Sequence, residues 1–210
     1  MSLHVGEVAP DFTADTTIGT INFHEWKKDS WALFFSHPAD FTPVCTTELG
    51  RAAQLQEDFK ARNVKPIALS TDRIEDHLRW VFDINETQDA LVRFPIIADN
   101  TMEISRMYDM IHAQESEVKT IRTYMIIDPD NKIRVTCAYP MAVGRSYTEI
   151  FRIIDALIVS DMHQVATPVD WEKGDSVIIP PNIDNATARR MFPRGWNEVL
   201  PYLRYTRYDQ

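Results

Sequence analysis

Residues 36–50 read Ser36-His-Pro-Ala-Asp-Phe-Thr-Pro-Val-Cys-Thr-Thr-Glu-Leu-Gly50. Just ahead of them, Trp31-Ala-Leu-Phe-Phe35 is a continuous apolar run, the pattern of a buried strand. Pro38 and Pro43 punctuate the polar turn that follows. Behind it, Leu49, Ala52, Ala53, Gln56 and Phe59 recur at helical spacing. Cys45 is thereby set in the first turn of a helix that leaves a strand. Unpaired backbone N–H groups and the positive end of the helix dipole favour an anionic sulfur there. Thiolate is the reactive form of cysteine, so the stretch reads as a nucleophile awaiting an electrophile.

Outward from it, the segments alternate. Strands are expected at Val64–Thr71, Phe94–Ala98, Thr123–Ile127 and Ile133–Ala138, with Pro95 marking a strand start or edge. Helices are expected at Glu75–Asn85, at Thr101–Tyr108 behind an N-cap at Asn100 or Thr101, and at Ser146–Val159. The last carries an apolar stripe of Ile150, Ile153, Ile154, Leu157 and Ile158. Asp128-Pro-Asp-Asn-Lys132 has the chemistry of a hairpin turn. The order β-α-β-α-β-α-β-β-α is that of an α/β, thioredoxin-like sandwich, a central mixed sheet with helices on both faces. Thioredoxin itself carries C-x-x-C at the strand-to-helix junction. Here the position three before Cys45 is Thr42, which excludes dithiol exchange at this site.

The division falls at residues 1–160 and 161–210. From Asp161 onward five prolines accompany Trp171, Phe192, Trp196, Tyr202, Tyr205 and Tyr208. That is too aromatic for a disordered tail and too proline-broken for regular helices. A small C-terminal domain is expected, its aromatics buried against its own sheet or against a partner subunit.

The 210 residues suffice for one core plus an extension, and 44% hydrophobic with 25% charged residues is ordinary for a soluble globular chain. No apolar stretch approaches the ~20 residues of a transmembrane helix, so no stable membrane insertion is expected. The opening MSLHVGEVAPDF has the features of neither a signal peptide nor an Arg/Ser-rich presequence. A net charge of −9 disfavours nucleic acid and anionic membranes as partners. Two cysteines suit a reducing compartment, and a cytoplasmic location is expected. The sequons at Asn85 and Asn185 then read as chance matches. No two histidines or cysteines have metal-ligand spacing, so neither a metal nor a cofactor is expected. His4, His77, His112 and His163 have no evident company.

Pro38-x-x-x-Thr42-x-x-Cys45 resembles the active-site motif of peroxiredoxins of the AhpC/TSA type. The longer string, with Val165-Ala-Thr-Pro-Val-Asp-Trp171 and Leu203-Arg-Tyr-Thr206, resembles the 1-Cys subfamily, and the likeness runs from Val5 to Tyr208. The resemblance implies a thiol-dependent peroxidase serving antioxidant defence, which reduces hydrogen peroxide and organic hydroperoxides through a Cys45 sulfenic acid. It also implies a homodimer in which the C-terminal extension reaches the other subunit. Thr42, one turn before Cys45, is placed to hydrogen-bond the peroxide, and Pro38 to shield the sulfur. Arg122, just before a buried strand, stands where the family has an arginine bonding thiolate and peroxide. Arg145 resembles the family's second arginine, with Glu48 orienting the guanidiniums, and His37 is a pocket wall or proton donor. Cys137 alternates with Ile133, Val135 and Tyr139 and is expected to face the core. With no cysteine after Asp161, no resolving disulfide of the 2-Cys kind can form, and an external thiol or other reductant is required. The subfamily is also associated with a phospholipase A2 activity, for which Ser30, His24 and Asp130 occupy the matching positions. Their flanks depart from the family pattern, Lys28-Asp-Ser-Trp-Ala32 replacing Gly-Asp-Ser-Trp-Gly, and no G-x-S-x-G elbow is present.

Overall fold

The computed structural model describes residues 3–208. Its elements, in chain order, begin with β1 (Thr13–Thr16), β2 (Gly19–Asn22), α1 (Phe23–Lys27), β3 (Trp31–Ser36), α2 (Pro43–Gln54) and α3 (Gln56–Ala61). There follow β4 (Val64–Ser70), α4 (Ile74–Gln88), β5 (Ile96–Ala98), α5 (Glu103–Met107), β6 (Arg122–Ile127) and β7 (Ile133–Tyr139). The seven strands form one sheet in the order β2-β1-β5-β4-β3-β6-β7. β3, β4 and β5 pair in parallel, which obliges the chain to cross over through α2–α3 and α4. The β1–β2 and β6–β7 pairs, and the joins of β1 to β5 and of β3 to β6, are antiparallel.

β3 is buried along its whole length, which explains why its sequence does not alternate. On one face its Ala32 and Phe34 join Phe12, Phe23, Ile67, Leu69, Ile97, Ile104, Tyr108, Met125 and Ile127, so α1 and α5 cover that side. On the other face Leu33 and Phe35 are buried with Tyr124 and Ile126, and Arg122, in phase with them, reaches α2. Each such aromatic or aliphatic side chain contributes about 2 kcal/mol on burial. The mixed sheet with helices on both faces is the expected sandwich.

Several local features differ from expectation. The N-terminal hairpin and α1 have no counterpart in the sequence reading. Their legible signal is Asn22, whose side-chain oxygen accepts from the N–H of Glu25 at 3.0 Å. α5 starts at Glu103, not Thr101, because Asp99 does the capping: its carboxylate accepts from Ile104 N at 3.2 Å and Ser105 N at 2.6 Å. Cys137 is half-buried rather than in the core, since β7 is the edge of the sheet and has a neighbour on one side only.

The chain divides into two compact units, Met1–Arg145 and Ser146–Gln210, an earlier boundary than the composition change at Asp161. The second unit opens with α6 (Tyr147–His163), capped by Ser146, and adds β8 (Val177–Ile178), α7 (Asn185–Met191), β9 (Asn197–Leu200) and β10 (Leu203–Thr206). Its sheet has the order β8-β10-β9. Val159, Val165, Trp171, Val177, Ile179, Ala188 and Phe192 form its core, with Trp196 and Tyr208 packed against them. Of the two destinations for the C-terminal aromatics, the unit's own core takes these four. Tyr202 stands exposed.

Candidate active site

The β3-to-α2 junction sets the nucleophile. Thr42 is the extended N-cap residue and Pro43 the first helical one, so α2 starts without the donor that proline lacks. Thr42 does not cap with its side chain; its Oγ1 donates to Ala39 O at 2.8 Å, which leaves the oxygen lone pairs open. Cys45, third in α2, is fully buried, and Pro38, seven residues earlier in the turn after β3, is buried as well.

Arg122, the first residue of β6, brings the charge. Its Nη1 lies 3.3 Å from Cys45 Sγ and donates to Glu48 Oε2 at 2.7 Å, while Nε donates to Met141 O at 2.8 Å. Arg145 grips the same carboxylate: backbone N and Nε donate to Glu48 Oε1 at 2.7 and 2.9 Å, and Nη2 to Oε2 at 2.7 Å. Its Nη1 donates to Ser36 O and Thr123 O at 2.8 and 2.9 Å, tying α2 to β3 and β6. Burial opposes ionisation of Glu48, but the adjoining Arg145 guanidinium and then Arg122 outweigh it and hold the carboxyl below its ordinary range. All three charged side chains are at most 3% exposed. Two guanidiniums and one carboxylate leave a buried excess of one positive charge, which a Cys45 thiolate balances. Unbalanced buried charge is costly, so the site is built for an anion at the sulfur.

His37 is also fully buried, and it is not alone. Its Nε2 lies 2.8 Å from Asp40 Oδ1, and Asp40 Oδ2 lies 2.6 Å from Nδ1 of His77, on α4. His77, which the sequence left without company, is therefore corrected: its partners come from the loop after β3 and are invisible in linear spacing. Among the described residues this is the group of histidine, cysteine and acidic side chains compact enough to hold a cation, its ligand atoms within 4.8 Å of one another. Ligands about 2.0–2.2 Å from a tetrahedral zinc would stand roughly 3.3 Å apart, whereas both imidazole–carboxylate separations are hydrogen-bond distances. The His37 ring packs on Trp80 at 5.1 Å, and Trp80 Nε1 donates to Thr46 Oγ1, next to Cys45, at 3.2 Å.

The hydrolase set does not assemble. Ser30 Oγ donates to the carbonyl of Lys27, His24 Nε2 donates to Ala9 O at 2.9 Å, and Asp130 is exposed. The position is organised around Lys27, whose buried Nζ donates to Ser30 O, Asp128 O and two further carbonyls within 3.1 Å.

Residues 5–136 match the AhpC/TSA family, and residues 156–194 match the C-terminal domain of 1-Cys peroxiredoxin. The chain is 45% identical to a 1-Cys peroxiredoxin of Dictyostelium discoideum over 97% of its own length and 85% of the relative's. It is 46% identical to human peroxiredoxin-6 over 97% of both chains. A structure of yeast mitochondrial 1-Cys peroxiredoxin, studied for thiol resolution via the glutathione/thioredoxin systems, superposes with a TM-score of 0.93 at 45% identity, covering 98% of this chain and 100% of that one. A cysteine-to-serine mutant of Arenicola marina peroxiredoxin 6 gives 0.92 at 41% identity, over 99% of each chain. With the motif, the thioredoxin-like sandwich and these matches in agreement, the chain belongs to the peroxiredoxin (AhpC/TSA) family, in its 1-Cys branch, and is a thiol-dependent peroxidase.

Proposed function

We propose that Cys45 is the peroxidatic nucleophile toward hydrogen peroxide and small organic hydroperoxides, with Arg122, Thr42, Pro38 and His37 around the substrate and Glu48 and Arg145 positioning Arg122. The observation that carries this is the balance of charge: Arg122 donates to the sulfur while Glu48 and Arg145 lock its plane. The thiolate attacks the terminal oxygen of the peroxide; the S–O bond forms as the O–O bond breaks, and the leaving oxygen departs as hydroxide or alkoxide and takes a proton from water. The guanidinium of Arg122 stands ready for the charge that moves from sulfur to oxygen. Thr42 Oγ1 donates to Ala39 O, so toward peroxide it acts as an acceptor from the O–H.

The sulfenic acid is released by an outside reductant, for which a glutathione or thioredoxin thiol, as in the yeast relative, has the right chemistry. Cys137 lies on β7, across the β6–β7 ladder opposite Tyr124, and serves no resolving role. The enzyme works in the cytoplasm as a homodimer. The hydrolase reading has no geometry to support it. Cys45→Ser abolishes peroxide consumption and Cys137→Ser retains most of it. Intact mass after one equivalent of peroxide gains one oxygen on Cys45 without a covalent dimer. Activity surviving in Cys45→Ser, or oxygen found on Cys137, overturns the assignment.

A further inference from the structure

The proton count of the His37–Asp40–His77 unit carries information that its distances alone do not. His77 Nδ1 faces a carboxylate oxygen at 2.6 Å and its Nε2 faces the backbone carbonyl of Ile97 at 3.1 Å. A backbone carbonyl only accepts, so Nε2 carries a proton. The Nδ1–Oδ2 contact also needs one, on the ring or on the carboxyl. His37 Nε2 faces Asp40 Oδ1 at 2.8 Å, and that contact requires a third. Three protons on two imidazoles and a carboxylate make the unit neutral, which is what complete burial favours.

We infer that Asp40 and His77 hold the extra proton between them, and so keep His37 a neutral ring with Nε2 protonated and Nδ1 bare as a hydrogen-bond acceptor. His37 Nδ1 is buried without a hydrogen-bond partner. An orphaned buried acceptor costs about 1–3 kcal/mol, a cost that a substrate donor removes. The inference rests on the peroxidase reading and deepens it: the second O–H of hydrogen peroxide, beyond the one that Thr42 accepts, and afterwards the O–H of the sulfenic acid, is the donor this acceptor awaits. His37 transfers no proton; it orients one. Asp40 and His77 are positioning residues.

Burial drives His37 toward its neutral form against the pull of Asp40. Burial also opposes ionisation of Asp40, yet its hydrogen bonds from His37 and His77 hold the carboxyl below its ordinary range. Among the described residues, Asp72 is a further charged group facing the unit; it lies in the loop after β4, and its Oδ2 accepts from Asp40 N at 2.9 Å and Ser70 Oγ at 2.7 Å. Ile97 on β5, Trp80 on α4 and Thr120 ahead of β6 also adjoin the unit and do not titrate in the working range.

His77→Gln removes the proton store and leaves Asp40 as an anion facing His37. His37 then takes up a second proton at neutral pH and ceases to accept. The expected result is a loss of about tenfold or more in kcat/KM for hydrogen peroxide at pH 7, recovered as pH rises toward 9, an ascending limb that the parent lacks. Asp40→Asn preserves every hydrogen bond with a neutral group, since its oxygen accepts from His37 and its amide donates to a neutral His77. Its kcat/KM should vary with pH as the parent's does, without the ascending limb of His77→Gln. A loss in His77→Gln that does not vary with pH, no loss at all, or an Asp40→Asn variant that shows the same ascending limb overturns the inference. Should either variant fail to fold, ring 15N resonances of the reduced parent decide. His37 with one bare and one protonated nitrogen supports it and His37 with two protonated nitrogens overturns it, whether or not the peroxidase reading survives.

Discussion

Glu48 acts on the site through the two guanidiniums it holds. Its two oxygens accept from Arg122 and three times from Arg145, so one carboxylate fixes two guanidinium planes. Glu48→Gln keeps the shape and removes the charge, leaving Arg122 and Arg145 to repel in a buried space. Breaking one partner of a buried pair costs about 3 kcal/mol or more, and kcat/KM should fall by about tenfold to a hundredfold as Arg122 loses its alignment. The pH signature follows from the sign of the shift. The folded carboxyl titrates below the unfolded one, so its contribution is complete above the unfolded value of about 4.3 and disappears as pH falls through the depressed folded value. Urea midpoints of the parent and Glu48→Gln should therefore differ most above pH 5 and converge on acidification; a gap that is constant with pH refutes the role.

At the scale of elements, the site depends on how α2 sits against α4. Gly50 is buried on α2, and a Cβ built there meets Gln88 Cγ at 2.3 Å and Gln88 Cβ at 2.5 Å, too close for any real side chain. Glycine in a helix interior costs about 1 kcal/mol relative to alanine, so its presence is explained by the approach of the α4 end. Gly50→Ala should destabilise, the overpacking of about 1–3 kcal/mol outweighing the propensity gain. Adding Gln88→Gly, which removes both clashing atoms, should return most of the loss in a double-mutant cycle of denaturant midpoints; simple additivity contradicts the packing argument. This contact also shows where sequence reading ends. Continuous burial of β3, the stripe on α6 and the junction at Cys45 are periodic patterns within one segment, and they were legible. The placement of His77 against Asp40 depends on residues from separate segments, and composition carries no trace of it; the α5 cap at Asp99 is local, but the adjoining Asn100 and Thr101 are cap residues by type as well, so composition does not choose among them. Arg122 and Arg145 were legible through family likeness, since a charge at a strand edge is ordinarily solvated.

At the scale of the molecule, the two units answer different needs. Met1–Arg145 contains every group of the Cys45 site, from Ser36 through Arg145, whereas Ser146–Gln210 has its own core around Trp171 and Phe192. A second core this small, on a chain whose first unit already holds the chemistry, calls for a purpose outside catalysis. Its β9 strand and the turn after it expose Val199, Leu200 and Tyr202 at 55%, 43% and 63%. Three neighbouring apolar side chains left in water suit an association surface, and the homodimer proposed above is tested there. Sedimentation of the parent should give a mass near twice 24.3 kDa. Leu200→Glu with Tyr202→Asp should shift the population toward the monomer at low micromolar concentration while the peroxide-reactive thiol of Cys45 persists, because no group of the site lies in the second unit. A parent that sediments as a monomer refutes the dimer, and a double variant that remains fully dimeric places its interface elsewhere on the chain.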